Sequence, residues 1–478
     1  MKKLCIPLGV LFFSILSCRS NSSENSHTPN EPVRLHNEHV VMVIDSRIDP
    51  NHRAYKDKVL ASYTLQCGTD STEDQSSSDN LSIDTLKEML KKELEKGEPF
   101  LFSLEECKLI EGIKTTTQPL PPYVEEKKND WNNAIKNLDK EYIVKNLSIL
   151  DFLSSPEYGY HGTNVTAMIA YKNPHVKFIL VEKRLGKGEK ADENTLKNIC
   201  SIFHKFNEVF GVLKEKKYHD LAVKNGLLSE KKLLHDLALK HKVTLINKSY
   251  GAERQDLREK FEKANCQTTI ENYFTTMANL NNIEYEIQRR IEIDPNHQPF
   301  LTIQAAGNSG MEVSSTYDLL DCYTAEGAKH QLIVGSYGMT AGREVISNFS
   351  NYGACVSLYA LGDLVITSNP QDFLIITRGT SFAAPLTVRY LSEKFSPQTN
   401  ATDMRNKLIA SLDHRKFLPP SKVFTYASLT HEEGQLQLAE TSFWKKLVIN
   451  DENKTLNRSL FSKKIPFHFI KNRISLKR

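Results

Sequence analysis

Residues 378–385, with the sequence RGTSFAAP, place Ser381 where a glycine-containing turn meets an alanine-rich helix. An oxygen at a helix N-terminus faces free backbone N–H groups and the positive end of the helix dipole, which stabilise negative charge developing beside it. That environment suits a nucleophilic serine. Serine and threonine are also ordinary helix N-caps, and the capping interpretation is the better one for any isolated example. Nucleophilic chemistry therefore requires partner side chains elsewhere in the chain.

Three upstream side chains are of the types that such a serine needs. Asp45 ends the apolar run VMVID, which predicts a buried parallel strand with the carboxylate at its carboxyl end, where sites in α/β sheets lie. His161 begins a segment with apolar residues at helical spacing, although a histidine at a helix start is more often structural. Asn308 follows an apolar run that predicts a strand, and its amide could donate to an oxyanion. Together with Ser381, these residues indicate nucleophilic catalysis.

With these motifs in this order, the sequence resembles the subtilases, the subtilisin-like serine peptidases. The order Asp, His, Ser is also the order of the triad residues in subtilisin itself. The matching phrases between the motifs are NKSYG at 247–251, which resembles the family's substrate-binding edge strand, LIVG at 332–335, which resembles a core strand, and FSNYG at 349–353. The resemblance extends from about residue 40 to about residue 412, with two long interruptions.

The resemblance implies a role for each matching residue. Ser381 would attack the scissile carbonyl, His161 would take its proton and return it to the leaving amine, and Asp45 would hold the imidazole in the required tautomer. Asn308 and the Ser381 N–H would form the oxyanion hole. The residues implied to bind an extended protein or peptide substrate through their backbone are Ser249, Tyr250 and Gly251.

The sequence departs from the family pattern close to these motifs. Arg47 stands where glycine is usual, Asn164 where a second histidine is common, and Lys248 where a neutral residue is usual; residues 360–362 read ALG in place of APG. No departure removes a triad or oxyanion atom. Arg47 and Asn164 leave open a catalytically inactive subtilase-like binding protein, and a long insertion leaves open a dedicated maturation peptidase for one partner.

Other hydrolase classes are weakly supported, because the chain contains no Gly-x-Ser-x-Gly elbow and no His-Glu-x-x-His motif.

The N-terminus predicts export and anchoring. A basic start precedes an apolar run at residues 4–16, which is shorter than the roughly 20 residues needed to span a bilayer. The phrase ILSC ending at Cys18 resembles the lipobox of bacterial lipoproteins. We therefore predict a lipoprotein signal peptide over residues 1–17, lipidation of Cys18, a flexible tether over residues 18–38, and a place in the bacterial cell envelope outside the cytoplasm. An ordinary signal peptide with an incidental Cys18 is the alternative.

Helical stripes alternate with apolar strands along the body of the chain. This alternation predicts an α/β fold with a mostly parallel sheet and helices on both faces, and the resemblance implies the three-layer subtilisin-like form. The predicted catalytic domain covers residues 39–415, with an insertion at about 55–155 between the Asp and His motifs, and a basic extension covers 416–478. The insertion contains an amphipathic segment that predicts a helix ending near Gly97. It could be a lid, a partner-binding subdomain or an elaboration beside the cleft, and we favour the last.

The net charge and the cysteine content limit which partners, cofactors and cross-links are expected. The net charge of +4 indicates no polyanionic partner, so no nucleic acid is predicted. No cofactor and no metal site is predicted; structural calcium, which many subtilases bind, cannot be assigned to a segment. Apart from Cys5 and Cys18, the cysteines are Cys67, Cys107, Cys200, Cys266, Cys322 and Cys355. Disulfides among them are possible in an exported protein, with the pairing left open.

Overall fold

The computed structural model describes residues 38–67, 82–97, 100–101, 107–114, 119–137, 139–153, 160–185, 193–225, 227–228, 230–249, 262, 265–292, 300–313, 330–340, 343–417 and 424–428. The predicted signal peptide and most of the basic extension lie outside these ranges.

The strands of the described residues are β1 (His39–Asp45), β2 (Val59–Cys67), β3 (Phe100–Leu101), β4 (Cys107–Glu111), β5 (Val176–Leu185), β6 (Leu227–Leu228), β7 (Leu245–Lys248), β8 (Leu301–Ala305), β9 (Gln331–Thr340), β10 (Arg343–Ile346), β11 (Leu358–Leu361), β12 (Val365–Ser368), β13 (Leu374–Thr377), β14 (Asp413–Phe417) and β15 (Phe424–Ser428). Most of them form one sheet in the order β14-β15-β11-β9-β8-β7-β1-β5-β2-β4, with β10 paired to β9. From β15 through β2, every neighbouring pair on this path is parallel.

The helices of the described residues are α1 (Ile83–Glu95), α2 (Pro122–Glu126), α3 (Lys128–Asn137), α4 (Lys140–Lys145), α5 (Leu147–Leu153), α6 (His161–Ala170), α7 (Glu193–Phe210), α8 (Lys216–Asn225), α9 (Glu230–Lys240), α10 (Gln267–Glu292), α11 (Thr380–Lys394) and α12 (Ala401–Ser411). Short 3-10 turns occur at Lys56–Lys58 and Gly211–Lys214.

Strand β1 shows why the sheet lies in the middle of three layers. All seven of its residues are buried, as its apolar run predicts. Val41 and Val43 pack into the cluster that contains the apolar side chains of α6 and α11. The alternating residues Val40, Met42 and Ile44 pack on the other face with α9. The predicted α/β fold with helices on both faces of a mostly parallel sheet is confirmed.

The segment predicted as an insertion contributes to three separate parts of the fold. Strand β2 joins the main sheet parallel to β5, and β4 adds an antiparallel edge strand. Helix α1, predicted from its amphipathic pattern, packs with α7, α8 and α10 and is followed by Gly97 at φ 77°. Helices α2 to α5 pack against the β12–β13 hairpin. The boundary at about 55–155 stays a prediction, and the segment is not one appendage.

Disulfide bonds cross-link the body. Cys200 of α7 is bonded to Cys266, which lies just before α10, with their Cα atoms 6.1 Å apart. Cys355 is also disulfide-bonded. In the part of the chain that the structure describes, no helix has the length and apolar character to cross a membrane.

Candidate active site

Strand β1 delivers Asp45 to the first residue of α6, His161. The Nδ1 atom of His161 lies 2.8 Å from Oδ1 and 3.0 Å from Oδ2 of Asp45. The carboxylate is only 2 % exposed, and its Oδ1 also accepts the backbone N–H of Ser46 at 2.7 Å. A buried carboxylate requires such donors. Because Nδ1 of His161 faces the Asp45 carboxylate, Nδ1 carries the ring proton and donates it in a hydrogen bond to that carboxylate. Nε2 of His161 is therefore the ring nitrogen that can accept a proton.

Gly162 allows α6 to start this close to β1. Its N–H donates to the carbonyl of Ser46 at 2.9 Å. A Cβ atom at position 162 would lie 2.9 Å from Cβ of Asp45 and 2.4 Å from Cγ1 of Ile48. Because such approaches are too close for carbon atoms, a glycine is needed for His161 to reach Asp45.

Ser381 is the second residue of α11, not its N-cap. The cap position belongs to Gly379, which has φ 150° and makes no side-chain capping bond, so the capping interpretation of Ser381 is wrong. Ser381 is 7 % exposed. The ring of Phe382, the next residue, lies with its centroid 5.3 Å from that of His161. The structure therefore brings Asp45, His161 and the start of α11 together at the carboxyl end of the parallel strands.

Asn308 lies in a loop, because β8 ends at Ala305 and Gly307 turns the chain at φ 101°. Its Oδ1 accepts the backbone N–H of Thr380 at 2.8 Å and the Thr380 hydroxyl at 3.1 Å. The position of a Cβ atom built on Gly379 lies 3.6 Å from Nδ2 of Asn308 and 2.9 Å from Oγ of Ser381. The amide nitrogen is therefore on the same side of the turn as the serine oxygen.

Thr380 was not identified from the sequence as a site residue, although it orients Asn308. Its hydroxyl oxygen also accepts the N–H of Gly307 at 3.1 Å. The side chain is fully buried. No local pattern indicates this role, because Thr380 and Asn308 are 72 residues apart in the chain.

The departures from the family pattern leave this geometry intact. Asn164, with its amide turned so that the nitrogen faces two carbonyls, donates to Tyr160 at 3.3 Å and to Ser368 at 3.1 Å. Arg47 adopts φ 53°, a left-handed conformation that favours glycine. Burial raises the pKa of the Tyr160 hydroxyl, and the positive charge of Arg47 opposes that rise.

The predicted substrate-binding strand is only partly described, and one feature of it is corrected. Strand β7 is not an edge strand, because it pairs with β1 on one side and with β8 on the other. The backbone of Asn247 and Lys248 is therefore used within the sheet. Ser249 follows β7, is buried, and accepts the Asn247 amide at 2.9 Å. Tyr250, Gly251 and the predicted lipidation residue Cys18 lie outside the described residues.

No group of three or more His, Cys, Asp or Glu side chains in the described ranges is arranged to hold a metal ion. The chemistry that the arrangement can perform is acyl transfer, with a serine oxygen and an amide donor at the Gly379 turn and a carboxylate-bound imidazole beside Phe382, the residue after the serine.

Comparison with known proteins gives a family match over most of the chain. The model of the subtilase family, Peptidase_S8, matches residues 36–423. No curated protein matches the chain significantly. Among solved structures, a cold-adapted subtilisin-like serine proteinase is 13 % identical, with 87 % of this chain and 96 % of that chain covered and a TM-score of 0.33. A lanthipeptide protease is 15 % identical, with 84 % and 89 % covered and a TM-score of 0.37. The prenylagaramide maturation protease PagA is 14 % identical, with 84 % and 94 % covered and a TM-score of 0.35.

Proposed function

The chain belongs to the subtilase family of serine peptidases, and we propose that it is an endopeptidase that cleaves proteins or peptides through Asp45, His161 and Ser381. The observation that carries the proposal is the paired contact of His161 Nδ1 with both Asp45 oxygens, with the imidazole ring packed beside Phe382. An imidazole held in this way has Nε2 directed to work as a general base.

In the proposed reaction, Oγ of Ser381 attacks the scissile carbonyl while Nε2 of His161 takes its proton. Asp45 stabilises the imidazolium that forms, and the proton is then given to the leaving amine. A water molecule then attacks the carbonyl of the acyl-enzyme, with His161 again taking the proton, and Ser381 is released. General-base assistance of this kind contributes about 10² to 10⁴-fold in rate.

The oxyanion that forms during attack would be bound by the backbone N–H of Ser381 and by Nδ2 of Asn308. The N-terminus of α11 adds the positive end of a helix dipole at the same place. Thr380 supports this proposal because it donates two hydrogen bonds to the Asn308 oxygen and so fixes the orientation of the amide group. Loss of one such donor costs about 10² to 10³-fold in turnover, a magnitude known from subtilisin itself.

A fluorophosphonate probe tests the proposal on the purified protein. We expect covalent labelling of the wild type and none of Ser381→Ala. Ser392→Ala is the matched control, because Ser392 is a buried serine on the same helix, and it should be labelled like the wild type. Folded wild-type protein that is not labelled would refute the proposed peptidase activity and would favour the alternative, a catalytically inactive subtilase-like binding protein.

The range of substrates separates a general endopeptidase from a dedicated maturation peptidase. A peptide-library cleavage profile with many cleaved sequences would indicate the former. Labelling by the probe without cleavage of any library peptide would indicate the latter.

We further propose that lipidated Cys18 anchors the protein in the bacterial cell envelope, facing outside the cytoplasm. The proposal rests on the lipobox-like phrase before Cys18, and disulfide bonding of Cys200, Cys266 and Cys355 is in keeping with an oxidising compartment. Membrane fractionation of wild type and Cys18→Ala tests it. We expect the variant to lose membrane retention, and unchanged retention would contradict lipidation.

A further inference from the structure

The loop that carries Asn308 has no regular secondary structure to hold it. Residues 306–311 follow β8 and contain two glycines in left-handed conformations, Gly307 at φ 101° and Gly310 at φ 66°. Thr380 fixes the rotation of the Asn308 amide and, on the side before Asn308, accepts the N–H of Gly307; the loop after Asn308 is held by other contacts. A donor must keep its position to about 1 Å to be effective in catalysis, so other contacts must fix the loop.

One side chain, Asn351, bonds to this loop on both sides of Asn308. Its Nδ2 donates to the carbonyl of Ala306 at 2.9 Å. Its Oδ1 accepts the backbone N–H of Ser309 at 3.2 Å and that of Met311 at 3.1 Å. Asn351 is 2 % exposed, so water cannot easily replace these bonds.

The chain around Asn351 adds backbone contacts to the same loop. The N–H of Asn351 donates to the carbonyl of Gly307 at 3.0 Å, and the N–H of Gly310 donates to the carbonyl of Phe349 at 2.8 Å. The Asn351 side chain itself donates one hydrogen bond and accepts two, in a site that is closed to water. Among the side chains, an amide of this length meets that requirement, whereas a carboxylate lacks the donor and an aliphatic group lacks both.

We propose that Asn351 is a positioning residue that holds the oxyanion donor Asn308 in place for catalysis. The inference rests on the proposed peptidase function and assigns a role within it that the catalytic motifs do not reveal. Asn351 touches no reacting atom. It acts through the loop, so that the amide of Asn308 needs no reorganisation when the oxyanion forms.

Steady-state kinetics on a peptide substrate provide the first test. Asn351→Ala should lower kcat on the order of 10²-fold and leave KM within about twofold, because a misplaced donor weakens transition-state binding and not substrate binding. The matched control is Asn173→Ala. Asn173 is also fully buried, with Nδ2 donating to Ser392 Oγ at 2.8 Å and Oδ1 accepting the His175 N–H at 3.1 Å. Asn173 lies beyond the C-terminal end of α6, whereas His161 is at the N-terminal end of that helix. Loss of the Asn173 side chain should therefore leave kcat unchanged.

A double-mutant cycle with Asn308→Ala separates positioning from general destabilisation. If Asn351 acts through Asn308, Asn351→Ala should cause no further loss of kcat in the Asn308→Ala background. An unchanged kcat in the single variant, or the same loss in both backgrounds, would overturn the inference. If Asn351→Ala does not fold, the cycle is run with Asn351→Ser, which leaves a smaller cavity, and the same criteria decide. Wild type that is not labelled at Ser381 by the probe would instead refute the proposed function.

Discussion

Arg47 illustrates how a single departure from a family pattern is accommodated by the backbone. It stands two residues after Asp45 at φ 53°, where a side chain crowds the following carbonyl at a cost of about 1–2 kcal/mol. Its carbonyl still accepts the N–H of Thr163 at 3.4 Å, as the turn requires. The cost is therefore to stability, and the contact between Asp45 and His161 is preserved.

Replacing Arg47 by glycine should stabilise the protein. We expect Arg47→Gly to raise the free energy of unfolding by about 0.5–1 kcal/mol, because relief of the left-handed strain exceeds the extra chain entropy of glycine. Urea denaturation measures the change. Lys242→Gly is the comparator, since Lys242 is exposed and has φ 52° at a turn remote in sequence from the site, and it should gain a similar amount. A loss of stability in Arg47→Gly would contradict this account.

At the scale of elements, the β12–β13 hairpin connects several parts of the site. It leads directly into Gly379 and Ser381. The Thr367 hydroxyl donates to the Asn164 carbonyl in α6 at 2.7 Å, and Nε2 of buried His52 lies 2.9 Å from the Asn369 carbonyl. Burial lowers the pKa of His52 below the ordinary value for a histidine.

Helix α3 holds the other side of the hairpin. Trp131 Nε1 donates to the Leu374 carbonyl at 2.7 Å. Asn132 bonds to the hairpin backbone as a neighbouring strand would, donating to the Asp372 carbonyl in the turn at 2.8 Å and accepting the N–H of Leu374 in β13 at 2.8 Å. Helix α3 therefore supports the hairpin that leads into the serine-bearing helix α11.

Removing this side-chain pairing should destabilise the protein measurably. We expect Asn132→Ala to lower the free energy of unfolding by about 1–3 kcal/mol, because the two backbone groups of the hairpin lose their partner. Asn133→Ala is the matched control, since Asn133 is the adjacent, exposed residue of the same helix. Chemical denaturation measures the free energy of unfolding of both variants. Equal losses in the two variants would show that the hairpin does not depend on Asn132.

At the scale of the whole molecule, the Cys200–Cys266 bond links two long helices of the cluster formed by α1, α7, α8 and α10. The bonded cysteines are 66 residues apart in the chain. A cross-link over such a loop restricts the unfolded chain and stabilises the fold by about 4 kcal/mol in the chain-entropy description. This cluster is separate from the apolar cluster that contains α6 and α11.

Loss of this bond should reduce stability and leave the catalytic groups in place. We expect the double variant Cys200→Ser/Cys266→Ser to unfold with a free energy lower by about 2–4 kcal/mol and to be labelled by the fluorophosphonate probe below its melting temperature. Ser201→Ala, at an exposed position beside Cys200, serves as the control. A double variant as stable as this control would contradict the role assigned to the bond.

The sequence by itself determined the elements and the order of the catalytic types. The apolar run before Asp45, the helical spacing after His161 and the amphipathic pattern of α1 are local, because burial imposes a period on each element. The structure confirms the strand ending at Asp45 and the helices beginning at His161 and beside Ser381. These features depend on which face of each element is buried and not on which other element covers it.

Only the tertiary structure decided which residues meet. It put β7 between β1 and β8, divided the inserted segment among three parts of the fold, and paired Cys200 with Cys266. The bonds from Thr380 and Asn351 to the Asn308 loop join residues that are distant in the chain. No local period encodes such contacts, because they form only when separate elements pack and their buried polar groups must find partners.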